Sequence, residues 1–379
     1  MKNLSKILFL SCALFAFGCS KDTTPQPTPL VDFPQSLDIE KSWSHNIGSN
    51  IGEDYVKLDP AFSANTVFVP DYKGKITAID KNTGKILWKT NTKSTITSSA
   101  AANSHTVFVG GSGQIFALAQ DNGKIKWSRD VVNEILATPL VTDDLVIAKT
   151  TNGQLTAFDA NTGDIVWKYS QEEPPLVLRG SSSPKASDDS IISGFASGEM
   201  VALNKNSGKV EWKQLIAEPS GNFAVERMVD IVADPIIADG VIYTATYQGK
   251  LAALSLRTGK VLWTNNISTF SGLAVNNNLV IAADANDTVS AFDRSSGDIV
   301  WQQKSLANRG LTAPAIISHY VVVGDKEGYL HFMNTANGHF VARLNIGGKG
   351  IIAQPIVYGN AVYVVTRSGY LAKVIPHTT

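Results

Sequence analysis

Ala78-Ile79-Asp80-Lys81-Asn82-Thr83-Gly84-Lys85-Ile86-Leu87-Trp88 is the stretch that decides the fold, because the chain keeps returning to it. Ala157-Phe158-Asp159-Ala160-Asn161-Thr162-Gly163-Asp164-Ile165-Val166-Trp167 is a near copy. Six of the seven tryptophans (Trp88, Trp127, Trp167, Trp212, Trp263 and Trp301) close the same Gly-x-apolar-x-Trp phrase, and a further copy, Gly338 to Ala342, has lost its Trp. Proline stands 28 residues before five of these seven positions, at Pro60, Pro139, Pro184, Pro235 and Pro314, with Ser99 and Leu273 in the other two, and Pro355 opens an eighth unit in the same way. Glycine stands 14 residues before the Trp position at Gly74, Gly113, Gly153, Gly198, Gly249 and Gly328, with Asp287 as the exception.

Three markers at fixed offsets define a structural repeat of about forty residues. Within it, segments such as Thr66-Val-Phe-Val69 and Lys75-Ile-Thr-Ala-Ile79 are short, rich in β-branched and aromatic residues, and bounded by turn signals. The glycine opening each Trp phrase suits a tight hairpin, where one residue must take positive φ. Each unit therefore predicts an inner strand after the Pro, two middle strands and an outer strand ending at the Trp, which is a four-stranded propeller blade. Trp43 has no unit before it and Pro355 has no Trp after it. Residues 39–48 should then lend the outer strand to the blade begun by residues 353–375, closing the ring and removing an open sheet edge. The expected fold is all-β, an eight-bladed propeller over residues 37–379. A Trp recurring once per blade reads as packing between neighbouring blades, not as a ligand cage.

The first residues read as a targeting segment. Lys2 and Lys6 precede the almost wholly apolar run Ile7–Gly18, which is too short to span a bilayer as a helix and suits a signal peptide over residues 1–18. Ala16-Phe17-Gly18-Cys19 resembles a lipobox, which implies a diacylated Cys19 at the mature N-terminus and an anchor in outer-membrane lipid. The bulky Phe17 and the Ala at position 16 depart from the commonest lipobox, and a plain secretory cleavage site is the alternative. By lipoprotein sorting rules, Ser20 in place of Asp implies the periplasmic face of the outer membrane. Cys12 and Cys19 are the chain's two cysteines, so the mature chain has no disulfide to draw on. Pro25, Pro27, Pro29 and Pro34 make residues 19–36 read as a lipidated end followed by a semi-rigid, extended tether.

Charge is balanced at 33 basic and 33 acidic residues with no basic stripe, so no nucleic-acid partner is expected. The six histidines are scattered without metal-ligand spacing, and no metal or cofactor is expected. Asp284-Ala-Asn-Asp287 lacks the Gly and terminal Glu of a calcium loop and reads as a blade turn without its Gly. Gly110-Gly-Ser-Gly113 reads as another turn.

Because the Pro-to-Trp unit is constant, length variation falls in the connections between blades. Those after Trp167 and Trp212 run 17 and 23 residues to the next Pro position, flank one blade and lie on one face. Long loops on a repeat scaffold are where binding concentrates. Pro174-Pro-Leu-Val-Leu-Arg179 sets Leu176 and Leu178 beside Arg179, the composition of an interface hot spot. The competing reading tucks both leucines onto the propeller and pairs Arg179 with an acidic neighbour such as Asp230. Glu226, Arg227 and Asp230 in the next loop are further candidates.

The Ala-x-Asp-x-x-Thr-Gly-x-x-x-Trp phrase resembles the repeat of pyrroloquinoline-quinone propellers, shared by quinoprotein dehydrogenases and by the BamB family, outer-membrane lipoproteins of the β-barrel assembly machinery. The BamB resemblance covers the whole chain. Leu176-Val-Leu-Arg-Gly180 resembles that family's Leu-x-Leu-Arg-Gly loop, Gly324-Asp-Lys-Glu-Gly-Tyr-Leu330 is similar to another of its segments, and Asp230 matches the first of two acidic loop positions. The second is Val232 here, a departure from the family pattern. The resemblance implies a non-enzymatic scaffold of the BAM complex that docks BamA's POTRA domains through Leu176, Leu178, Arg179 and Asp230, with unfolded outer-membrane proteins as further partners. The rivals are a quinoprotein dehydrogenase, against which the missing Cys pair and missing long insertions stand, and a periplasmic binding propeller with another partner.

Overall fold

The computed structural model describes residues 25–48, 56–269 and 271–377. Its strands form eight four-stranded antiparallel sheets. Blades 1 to 7 cover residues 61–91, 101–134, 140–170, 185–215, 236–267, 273–303 and 315–345. Blade 8 takes three strands from residues 356–377 and its outer strand, Asp38–Asn46, from the other end of the chain. The ring closes as the repeat predicted, with Asp38 opposite His377 and Asn46 opposite Tyr370. Among the described residues no helix is long and apolar enough to cross a membrane.

The alternation of strand side chains puts the core between blades. The middle strands carry it: Val67, Phe68, Val69, Ile76, Ala78 and Ile79 of blade 1 are almost wholly buried, and each blade's inward residues interleave with those of the next.

The tryptophans are the clasps of the ring. Each indole Nε1–H donates across the blade junction to a backbone carbonyl in the next blade's outer turn: Trp88 to Gln120, Trp127 to Ala160, Trp167 to Lys205, Trp212 to Leu256, Trp263 to Arg294, Trp301 to Thr335 and Trp43 to Lys81, at 2.7–3.1 Å. The ring lies on the turn glycine. A Cβ at Gly163 would stand 2.7 Å from Trp127, and its φ of 75° disfavours any L side chain as well. The turn glycine thus serves two ends, conformation and close approach.

Blade 7 carries Ala342 where the Trp is expected, and the reason is topological. The next blade's outer strand starts at the other end of the chain, so blade 8 has no Asn-x-Gly turn to be clasped. In six blades an Ala faces the Trp across the ladder; here the volumes are exchanged, with Phe332 facing Ala342. Leu37 fills the remaining wedge, buried and donating its N–H to Val341 O at 3.2 Å.

One local expectation is corrected, and one blade turn departs from its neighbours. In the blade 5 turn the left-handed residue is Gln248, at φ 49°, where other blades use the marker glycine itself, as at Gly74 and Gly153. Residues 28–37 do not stand off as an extended tether. They dock along blade 7, where Thr28 donates to Ala307 O, Phe33 stacks on Phe340 at 5.5 Å, and Ser36 and Leu37 donate to Val341 O. The signal-peptide residues and Cys19 lie outside the described residues.

Candidate functional site

All connections from an outer strand to the next inner strand lie on one face of the ring, here called the loop face. The two long ones, residues 171–184 and 216–235, flank blade 4 there. They are bolted together. Leu178 N–H donates to Asp230 Oδ1 at 2.8 Å, and Ser183 N–H donates to Asp234 Oδ1 at 2.6 Å. Gly180 lies against Val232, where a Cβ would come within 2.7 Å of Cγ1. The departure at Val232 therefore serves as apolar packing between the loops. The base of the first loop is fixed from below by Lys149, which is buried, lies over the Phe195 ring at 4.7 Å and donates to Ser182 O and Gly194 O. Burial, offset in part by Glu173, lowers the Lys149 ammonium to about 8.

This frame displays some candidates and hides others. Leu176 and Val177 are exposed, at 42% and 37%, although both are apolar. Leu178 is half-buried between the loops. Arg179 is exposed and pairs with Glu134 Oε1 at 3.3 Å, not with Asp230. Glu134 ends the ten-residue outer strand of blade 2, which overshoots its sheet to reach the loop. Asp230 is 2% exposed; burial raises its carboxyl above the usual range against the opposing Leu178 N–H, and its Oδ2 has no hydrogen-bond partner among the described residues. Asp230 is thus placed to hold the loop, not to present a charge. Glu226 turns back on its own segment, its Oε2 accepting from the N–H groups of Asn222 and Phe223 at 2.8 and 3.1 Å. Arg227 is exposed.

The sequence reading missed Phe223 and Val225, which are 69% and 57% exposed on the second loop. Their signal was available: two large apolar residues inside Gly221-Asn-Phe-Ala-Val-Glu-Arg227, a loop otherwise suited to water.

The loop face also opens onto the central channel through a cavity of about 620 Å³, to which the connections leading into all eight blades contribute and whose rim includes Leu178 and Arg179. Lys57, Asp59, Lys185 and Asp234 line it. Lys185 pairs with Asp234 at 3.2 Å. Burial, opposed in part by the Lys57 ammonium, pushes Asp59 up to about 6. Among the described residues no group of three or more His, Cys, Asp or Glu is placed to hold a metal ion. Asp284 and Asp287 instead bind backbone N–H groups: Asp287, at φ 63°, accepts from Gly310 and Leu311 at 2.8 and 2.7 Å.

Known proteins share this architecture and this sequence. The family described as "Outer membrane protein assembly factor BamB" matches residues 40–102, 72–303 and 285–376. The chain is 33% identical to the outer membrane protein assembly factor BamB of Yersinia pestis over 378 residues, 97% of this chain and 95% of the relative. The crystal structure of BamB from Moraxella catarrhalis superimposes with a TM-score of 0.82 at 26% identity, over 89% of this chain and all of that one. A quinohemoprotein alcohol dehydrogenase from Comamonas testosteroni superimposes with a TM-score of 0.70 at 15% identity, over 89% of this chain and 76% of that one, a likeness of fold alone. With its eight blades, its paired loops and a sequence match running nearly end to end, the chain belongs to the BamB family of outer membrane protein assembly factors.

Proposed function

We propose that this chain is a non-catalytic docking subunit of the outer-membrane β-barrel assembly machinery, held at the periplasmic face of the membrane by an acylated Cys19, and that its loop face binds the POTRA domains of BamA. The observation that carries the reading is the pair of interlocked loops. They expose Leu176, Val177, Phe223 and Val225 to water on a rigid frame, with Arg179 at the edge. Apolar side chains on a fixed backbone lose little entropy on binding, and a guanidinium suits a partner carboxylate at a half-buried rim. The Arg179–Glu134 pair is exposed, so exchanging it for a partner's carboxylate costs little. Asp230 acts in this scheme as a positioning residue through Leu178.

Changing Leu176→Ala together with Arg179→Ala should leave thermal melting nearly unchanged, since both side chains are exposed. It should weaken binding to isolated POTRA domains by ~2–4 kcal/mol if both act as hot-spot residues. Unchanged affinity in a normally melting variant would sink the assignment. Cys19→Ala should release the protein from outer-membrane fractions into the soluble periplasm; retention in the membrane would refute the anchor. Dye-linked alcohol or sugar oxidation after addition of pyrroloquinoline quinone and calcium would revive the dehydrogenase reading.

A further inference from the structure

The docking of residues 28–37 has a geometric consequence. The outer strand of blade 8 begins at Asp38 on the face opposite the loops and runs toward the loop face. Left to itself, the tether would leave the propeller from that far face. Instead it turns back along the outer edge of blade 7. Ser36 and Leu37 bond Val341, Phe33 stacks on Phe340, and Thr28 bonds Ala307, which lies in the loop-face connection between blades 6 and 7.

The hold is strong and specific. Arg309, only 2% exposed, is fixed by Asp325 at 2.8 Å and by Glu327, and donates Nη1–H to Thr28 O at 2.9 Å. Arg343 donates to Val31 O at 3.1 Å, covers the Phe33 ring at 5.0 Å and is steadied by His331 Nδ1 at 3.2 Å. His331 and Asp325 are themselves fully buried and bonded at 2.9 Å. A buried ionic relay is costly unless every member is satisfied, and here the outermost members are satisfied by the backbone of the docked segment.

We infer that this segment turns the loop face of the propeller toward the lipid bilayer, so that the membrane and the proposed partner are met from the same side. The inference rests on Cys19 as the point of attachment. Nine residues separate Cys19 from Thr28, a contour of at most ~30 Å; eighteen separate it from Leu37, at most ~60 Å. Docking therefore halves the reach and moves the exit from the far face to the loop-face rim. An anchor and a partner contact on one face act as two linked binding events, which raises the effective concentration of each for the other.

The test uses the mature chain with Cys19 coupled through its thiol to a maleimide phospholipid in phosphatidylcholine vesicles, so it does not depend on native acylation. A donor dye is placed by an encoded azide at Lys326, on the loop-face turn of blade 7, or at Ala336, on the opposite turn; an acceptor lipid is in the bilayer. Energy transfer from Lys326 should be at least twice that from Ala336. Equal transfer, or more from Ala336, would overturn the inference. Phe33→Ala with Arg343→Ala should collapse the difference while circular dichroism stays that of a folded propeller. An eighteen-residue Gly-Ser insertion after Thr24, which alters no blade, should collapse it too. A difference that survives the insertion would show that the docked segment does not set the orientation. Solubility of the native protein in a Cys19→Ala strain reports separately on the anchor itself.

Discussion

Seven junctions of the ring are closed by a tryptophan clasp and one is not. At the seven, an indole N–H reaches a carbonyl of the next blade and its ring covers a turn glycine. At the eighth, between blades 7 and 8, there is no turn to clasp, and the work passes to Leu37, at the end of the docked segment, and to the exchanged Phe332–Ala342 pair. The difference teaches that the Trp is one half of a device. Where the fold removes the receiving half, the Trp goes with it, and a different chemistry takes over at the junction that joins the two ends of the chain.

The largest expected effect comes from breaking a regular clasp. Trp167 is 7% exposed and packs against Val201, Leu203 and Ile191 of the next blade. Trp167→Ala should destabilise by ~3–5 kcal/mol, as for other buried aromatics; an unchanged denaturant midpoint would show that the clasp carries no stability. Leu37→Ala probes the eighth junction. Leu37 is 4% exposed, and its truncation should lose ~2–3 kcal/mol. The fluorescence of the seven tryptophans should be largely unaffected below the transition, because none lies at that junction. If Leu37→Ala costs nothing, the docked segment and not the wedge closes the ring.

How much of this was legible in the sequence follows the range of the interaction. Blade number, strand order and ring closure rest on local phrases repeated at fixed spacing, and Trp43 and Pro355 alone announced the shared blade. The shared face of the two long loops followed from topology. The partners of individual charges did not. Arg179 meets Glu134, 45 residues away, because the blade 2 strand overshoots, and nothing in the phrase Leu-Val-Leu-Arg marks that. Asp230, read as a contact residue, turned inward to Leu178, since an Asp beside an unpaired loop N–H is worth more there than in water. The proline-rich stretch looked like a free tether because composition cannot register Arg309 and Arg343, 281 and 312 residues downstream of the carbonyls they bind.

Asp287 sharpens the comparison within the regular blades. It occupies the marker glycine position of blade 6 at φ 63°, a strained setting for a residue with a Cβ, yet its two oxygens hold Gly310 and Leu311 N–H groups in the connection leading into blade 7. Asp287→Gly would relieve ~1 kcal/mol of backbone strain and lose two charge-assisted bonds worth more in sum, for a net loss of ~1–2 kcal/mol. A more stable glycine variant would mean that the position is a worn repeat and nothing else.

The smallest effect separates the docked segment from the clasps by pH. The clasps at Trp127 and Trp167 are built from an indole, a carbonyl and a glycine, whereas the relay behind Arg309 and Arg343 contains His331. Burial, against the pull of Asp325 and with the help of the Arg343 and Arg309 charges, lowers His331 below its ordinary 6.5. In the folded chain it stays neutral, donating from Nε2 to Asp325 and accepting at Nδ1 from Arg343. The unfolded chain takes up the proton more readily, so stability from this group is present above 6.5 and drains as pH falls below it. At pH 6 the loss is under about 1 kcal/mol whatever the folded value, because it is bounded by the protonation of the unfolded histidine. Asp325 does not counter it in that window: burial alone would raise its carboxyl, but its bonds to His331, Tyr329 N–H and Arg309 hold it below the carboxylate range, so its own contribution fades only at lower pH. Hydrogen exchange at pH 7 and pH 6, corrected for intrinsic rates, should therefore show protection falling first at Ser36, Leu37 and blade 7, with the amides around Trp127 and Trp167 unchanged. A His331→Phe variant should abolish the difference between the two pH values, and equal loss at all eight junctions would show that the relay is not where acid acts.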